Sequence, residues 1–305
     1  MFKFNKEQTV FDIAGIKVGG NVGENPTAMI GSIFYKGDKT VQDDKTGAFD
    51  KAKAEERIRE SEELSDKTGL PAMLDVICTS AQVARKYLEF AADATKMPIL
   101  IDAVSEEAAI GGMDCAKELQ IMGRTILNSL NPETKEPVYA KIKEVGLESA
   151  ILLTYSSRAI ISSKERVKLL DVLLPRAQAA GIKKMLIDTV VMDVATLGLA
   201  CKAIYEVKDQ FGYPAGCGAH NAVDSWKALK NKKDKMLSAV CASIANGLPI
   251  AVGADFVLYG PLNTAEHIFP AISIIDAAYG QVLMEEGKRP SLNHPRFKIT
   301  KLWQS

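Results

Sequence analysis

The chain has 305 residues, with 38 Lys plus Arg against 38 Asp plus Glu, 47% hydrophobic residues and 7% aromatics. Balanced charge leaves no global field to recruit nucleic acid or a membrane surface, and the apolar share is ordinary for a globular enzyme with a large core. The five cysteines, Cys78, Cys115, Cys201, Cys217 and Cys241, stand singly without a CxxC pair, which argues against disulfide scaffolding and structural zinc and for a reduced, cytoplasmic compartment.

The first residues, Met1-Phe2-Lys3-Phe4-Asn5-Lys6-Glu7, lack the basic-then-apolar pattern of a signal peptide. No apolar run reaches the roughly 18 residues of a spanning helix, so no membrane span is expected. Residues 1–24 hold short β-like runs, Phe2-Lys3-Phe4, Thr9 to Ile13 and Gly15 to Val18, then the turn Gly19-Gly20-Asn21-Val22-Gly23. A hairpin closing a barrel floor fits this stretch. A phosphate loop would need a helix start directly after it and another glycine spacing.

From Thr27 the chain becomes repetitive. Strands are expected at 27–34, 73–78, 98–102, 124–128, 149–155, 184–191, 214–221 and 256–260. Helices are expected between them, with Asp50, Ser80, Ser105 and Asp193 as starting caps and Gly181 ending a long amphipathic helix from Ser163. A last helix runs from Ala265 to Glu286, and residues 287–305 read as an extended tail. Eight apolar strands alternating with helices predict an α/β fold, a (β/α)8 TIM barrel over residues 27–286, in one domain spanning 1–305.

Barrel strands buried on both faces should be nearly all apolar, yet polar residues recur near their C-terminal ends. Asp75, Asp102 and Asn128 are separated by 27 and then 26 residues, and Asp188 and Asn221 continue the series, with Thr154 and Tyr155 on the fifth strand. The active site of such a barrel lies at that mouth. A buried carboxylate costs several kcal/mol unless partnered, so the group requires a ligand, a cation or water. Bland readings exist for each: Asp75 as a helix cap, Asn128 held by loop backbone, Asn221 capping the helix that follows.

Of the three histidines only His220 falls at the mouth, and no HxH or HExxH occurs, which disfavours a metal site. Lys183 and Lys184 begin the sixth strand, at the wrong end for a Schiff base. Cys78 and Cys217 have no nucleophile context. Two Asp and an Asn suit a flat heterocycle with an amidine-like edge, such as a pterin, whose adjacent N–H donors a carboxylate grips while an amide reads the neighbouring positions.

Leu100-Ile101-Asp102, Leu127-Asn128-Ser129 and Ile187-Asp188 resemble the strand ends of the pterin-binding barrels, the dihydropteroate synthases and folate:corrinoid methyltransferases. Phe11-Asp12-Ile13-Ala14-Gly15, Gly212-Tyr213-Pro214, His220-Asn221 and Asp255-Phe256-Val257-Leu258-Tyr259-Gly260-Pro261 resemble the H-subunit family of tetrahydromethanopterin S-methyltransferase and its bacterial relatives, over about Met1 to Glu285. The resemblance implies a methyltransferase of one-carbon metabolism acting between a corrinoid (cobalamin) cobalt and N5 of a tetrahydropterin. It implies that Asp102, Asn128 and Asp188 hold the pyrimidine ring, that Asp75 orders water over it, and that Asn221, near N5, is catalytic together with Asp188. It also implies a separate corrinoid protein as partner and a homodimer. Charge balance and the expected lack of membrane contact favour tetrahydrofolate as the pterin, with 5-methyltetrahydrofolate as product. The alternatives are one component of a methyltetrahydromethanopterin:corrinoid methyltransferase, a non-catalytic pterin-binding component, and a dihydropteroate-synthase-like condensation, which lacks its strand-seven lysine here.

Overall fold

The apolar runs do form parallel strands. In the computed structural model, which describes residues 3–302, the barrel strands are β1 (Ala28–Ile33), β2 (Ala72–Cys78), β3 (Ile99–Ala103), β4 (Thr125–Leu130), β5 (Ser149–Leu153), β6 (Lys184–Asp188), β7 (Ala215–Cys217) and β8 (Phe256–Pro261). They pair in sequence order, and β8 closes on β1 through Phe256–Ala28 and Val257–Met29. Such runs, buried against helices outside and against each other inside, have no solvated face to favour alternation.

The inner face is filled by apolar side chains of the strands. Ile30, Met73, Leu100, Ile126, Ile151 and Leu186 are at most 1% exposed and pack together with Ala28 and Phe256. Two short strands, Val10–Ile13 and Ile16–Gly19, form the expected hairpin, and their Ile13 and Val18 join this cluster with no exposed surface. The hairpin therefore plugs the end where the strands begin. The end of its second strand requires glycine: Gly19 has φ +105°, and a Cβ there would lie 2.2 Å from the Thr9 carbonyl oxygen.

Asp50, Ser80, Ser105 and Asp193 all cap their helices by accepting the N–H three residues on. Elsewhere the boundaries move. The helix expected from Ser163 to Ala180 is two pieces, Ser163–Lys168 and Leu170–Ala179, broken at Leu169, and the second piece carries Pro175 inside it. The loop after β1 carries an unforeseen second hairpin, Val41–Asp43 with Ala48–Phe49. The tail is not extended: Pro295–Lys298 and Ile299–Lys301 are short helices, packed on Ala265–Glu285 and started by a Pro beside fully buried His294. Of the first β-like run, Phe2 lies outside the described residues, and Lys3 and Phe4 are not in a strand. One helix, Leu262–Glu285, is after all long and apolar enough to cross a membrane by length and composition, with 44% of its most apolar window buried inside the fold.

Candidate active site

Side chains on a strand alternate faces, so the residue two beyond each core position also points inward, one layer nearer the C-terminal mouth. Above Ile30, Met73, Leu100, Ile126 and Leu186 stand Ser32, Asp75, Asp102, Asn128 and Asp188. Register places Ser32 beside Asp75, Asp102 beside Asn128, and Asp188 beside Gly216. Four of the five expected residues thus share one layer.

Asp75 is 1% exposed and accepts the Ser32 hydroxyl at 2.8 Å and the Asn128 amide at 3.1 Å. It caps nothing, because Ser80 caps the next helix. Asn128 is therefore held by Asp75 rather than by loop backbone. Burial raises the Asp75 carboxyl above the usual carboxylate range, against the opposing pull of Asn128, Ser32 and the nearby His220. Asp102 accepts no hydrogen bond from any described residue, and burial, then the adjacent Asp75 charge, push its carboxyl well above that range. Two neighbouring carboxyls share this pocket, and one has no donor of its own.

Asp188 is 5% exposed. Burial pushes its carboxyl up to about 6, opposed by the Val190 N–H at 2.7 Å, the Arg166 charge and the Gly218 N–H. Arg166 is a residue that sequence reading missed. It is fully buried, and its guanidinium donates to the carbonyls of Ala159, Ile160, Thr189 and Val190 at 2.8–2.9 Å, tying the chain after β5 to the chain after β6. Thr154 serves the same end: its N–H and hydroxyl both donate to the Asp188 carbonyl oxygen, at 2.9 and 3.0 Å. Tyr155 lies past the end of β5.

Asn221 does not end a strand. β7 stops at Cys217, and Asn221 opens the short helix Asn221–Asp224. The strand packs tightly on β8 and requires glycine in its middle: a Cβ at Gly216 would lie 2.2 Å from the Phe256 carbonyl oxygen. Asn221 does not cap the helix either, since the cap position is His220 and makes no side-chain bond there. Its amide has no hydrogen bond among the described residues and lies near Gly218, where an added Cβ would approach Nδ2 to 3.2 Å. His220 Nδ1 lies 2.9 Å from the Leu258 carbonyl oxygen. That oxygen only accepts, so Nδ1 carries the proton and Nε2 is the ring's free position.

A cavity of about 660 Å³ lies at the floor among Lys17, Asp66 and Arg289. Smaller ones at the mouth, of about 260 and 210 Å³, touch Asn128 and Ser32. Unpartnered inward polar groups, which a ligand must satisfy, locate the site better than volume does. Asp102, Asp188 and Asn221 together offer acceptors and a free amide to a planar ligand rich in N–H donors.

A family model described as "Tetrahydromethanopterin S-methyltransferase MtrH subunit" matches residues 6–290. The tetrahydromethanopterin S-methyltransferase H-subunit of Methanothermobacter thermautotrophicus is 38% identical over 98% of this chain and 100% of its own length. The Methanocaldococcus jannaschii H-subunit is 37% identical with the same coverage. The H-subunit of a putative methyltransferase, mtx, of Methanosarcina mazei is 32% identical over 97% of this chain and 98% of its own. Among solved structures, a Yersinia pestis dihydropteroate synthase with a pterine-sulfa conjugate superposes with a TM-score of 0.64 at 11% identity, over 88% of this chain and 99% of that one. A Thermus thermophilus dihydropteroate synthase gives 0.59 at 13%, over 89% and 100%. At that identity these two speak for the barrel alone. The expectation of a bacterial tetrahydrofolate enzyme finds no support in these relatives, two of which are named for tetrahydromethanopterin. The chain belongs to the MtrH family and is a methyltransferase.

Proposed function

We propose that this member of the MtrH family moves a methyl group between N5 of tetrahydromethanopterin and a corrinoid carried by a separate protein. The observation that carries the reading is the inward layer at the mouth, in which Asp102 and the nearby Asn221 amide have no partner among the described residues while Asp75 and Asn128 are fixed. A pterin fits these groups. Its pyrimidine edge presents adjacent N–H donors to Asp102 and Asp188, and the Asn128 amide, held through Nδ2, turns its carbonyl oxygen to a third. Asp75, braced by Ser32, keeps Asn128 in that orientation.

The corrinoid supplies the cobalt that gives or receives the methyl. The chain's own task is to orient N5 in line with it and to manage the proton there. A methyl on N5 leaves readily only if N5 is protonated as the bond breaks. In the other direction, neutral N5 gains the methyl and loses its proton. The Asn221 carbonyl oxygen accepts from protonated N5, and its NH₂ donates to the neutral lone pair, so one side chain serves both protonation states without titrating.

Anaerobic calorimetry with tetrahydromethanopterin and tetrahydrofolate tests substrate choice, and the tighter binding expected is to the former. Turnover follows from the cobalt spectrum on mixing pterin, the methylated corrinoid protein and this chain. Asn221→Ala is expected to lower turnover about 10²–10³-fold, the cost of one lost transition-state donor, while pterin affinity holds. Unchanged turnover would favour a passive pterin-binding role, and tighter tetrahydrofolate binding would restore the other substrate reading.

A further inference from the structure

Between Asn221 and the helix Lys235–Ala251 the chain makes an excursion over the mouth, through the short helices Asn221–Asp224 and Lys227–Lys232. It is held down by Ala222, 1% exposed, by Val223, packed against the core, and by Leu229, 3% exposed. From Asp224 on, all but Leu229 face solvent, including Lys227, Lys230, Lys232, Lys233 and Lys235. Only Lys230 has an ion pair among the described residues, with Asp224 at 3.5 Å, while Asp234 is engaged in capping Leu237. The other loops at this end are mixed in charge or shorter: Lys36, Asp38, Lys39, Asp43, Asp44 and Lys45 follow β1, Glu106 and Glu107 follow β3, Glu133 and Lys135 follow β4, and Arg158, Lys164 and Glu165 follow β5. Trp226 stands between Asn221 and the lysines with 44% of its surface exposed, a large aromatic face that the fold leaves uncovered.

Resting on the pterin reading above, we propose that this excursion binds the side chain of the pterin coenzyme, with Trp226 stacking on its aryl ring and the lysine run pairing with its anionic end. Ring chemistry sets the direction. Tetrahydropterin coenzymes carry at C6, next to N5, an arylamine followed by a chain that ends in carboxylate or phosphate. With the pyrimidine edge on β3, β4 and β6 and N5 at Asn221, C6 lies on the β7 side. Its substituent leaves over the excursion. Along the chain the order is amide, indole, then ammonium groups, and along the ligand it is N5, aryl ring, then anions. Exposed lysines attract a multiply charged anion additively, and salt screens that attraction within roughly 10 Å at about 0.1 M.

The test uses the full chain in anaerobic calorimetry with three probes: tail-less 6-methyltetrahydropterin, tetrahydrofolate with one glutamate, and tetrahydrofolate with three. The intact protein is expected to bind the triglutamate at least about tenfold tighter than the tail-less pterin, with the gap shrinking as salt rises. The triple variant Lys227→Glu, Lys230→Glu, Lys232→Glu is expected to abolish that gap and its salt dependence while tail-less affinity stays unchanged, which also certifies its fold. Trp226→Ala should weaken both tailed pterins alike. An equal preference for tailed ligands in the intact and triple-variant proteins overturns the proposal, as does a triple variant that loses only turnover with the corrinoid protein, the mark of an acidic docking partner. Failure of all three probes and of tetrahydromethanopterin to bind overturns the underlying pterin reading instead.

Discussion

The two ends of the barrel bury the same kinds of residues and treat them differently. At the floor, Lys208 has no exposed surface, and its ammonium lies 2.6 and 2.7 Å from the two Asp255 oxygens and 3.2 Å from the Gly20 carbonyl oxygen. Asp255 also accepts the Ala215 N–H at 2.9 Å. Asp276, on the last barrel helix, accepts both the N–H and the hydroxyl of Thr27, at 2.7 and 2.9 Å. At the mouth, Asp75 is equally enclosed and partnered, but Asp102 beside it has no donor and the Asn221 amide has no bond among the described residues. Shifted ionisation does not separate the ends, since burial raises Asp255 and brings Asp276 up to about 7 as surely as it raises Asp188 to about 6. Partners do. A buried polar group whose needs are met by protein belongs to the architecture, and a half-buried one at the mouth whose needs are unmet is open to something that arrives.

The floor offers the largest test of that distinction. Lys208→Met leaves Asp255 buried without its cation, and breaking such a pair costs about 3–5 kcal/mol. Urea unfolding is expected to show a loss of this size, while the pterin affinity of the folded fraction is unchanged. A loss below about 1 kcal/mol, or a matching drop in affinity, would mean that the floor is not the purely structural end.

At the mouth the expected pattern is reversed. Asp102→Ala removes a carboxyl that the fold does not satisfy, so stability should stay within about 0.5 kcal/mol of the parent or rise. Pterin affinity should fall by about 1.5–3 kcal/mol, the usual worth of a charge-assisted hydrogen bond. Denaturation and calorimetry on one preparation read both quantities. Lost stability with retained affinity would assign Asp102 to the architecture.

Much of the mouth was legible in the sequence because a buried parallel strand permits few polar residues. Asp75, Asp102, Asn128 and Asp188 were conspicuous exceptions within Leu-Asp, Ile-Asp and Leu-Asn runs, and strand parity turned them to one side. Arg166 was not legible. Its partners are four backbone carbonyls, which carry no sequence signature, and it lies in a helix whose periodicity already explained it. Asn221 was found but placed on the wrong element. Gly216-Cys217-Gly218-Ala219 is apolar enough to read as strand, while its small residues let the chain turn into a helix instead. The tail, read as extended, turns helical at Pro295, which sits at a helix start, where proline is tolerated. The expectation of tetrahydrofolate rested on little, because surface charge balance carries no information about which coenzyme fills a buried pocket.

The finest test at the mouth is acidity. Asp188 has a carboxyl raised to about 6 from an ordinary value of 3.8, chiefly by burial. Its protonated form therefore favours the folded state below 3.8, and that contribution is lost as pH rises to about 6. Ligand binding has the opposite sign. N–H donors on a pterin engage the carboxylate and lower its pKa in the complex, so affinity is full above pH 6 and falls below it, by at most about tenfold per pH unit for one proton. Calorimetry from pH 5 to 8 measures the slope. Asp75 and Asp102 are raised as well, so Asp188→Asn assigns the share: the part of the slope that this amide removes belongs to Asp188. The substitution is also expected to weaken binding above pH 6, where a neutral amide replaces a charged acceptor. An unchanged slope in Asp188→Asn would place the recognising charge on the Asp75–Asp102 pair and leave Asp188 the role of a bracket, held by Val190 and Arg166 like the carboxylates of the floor.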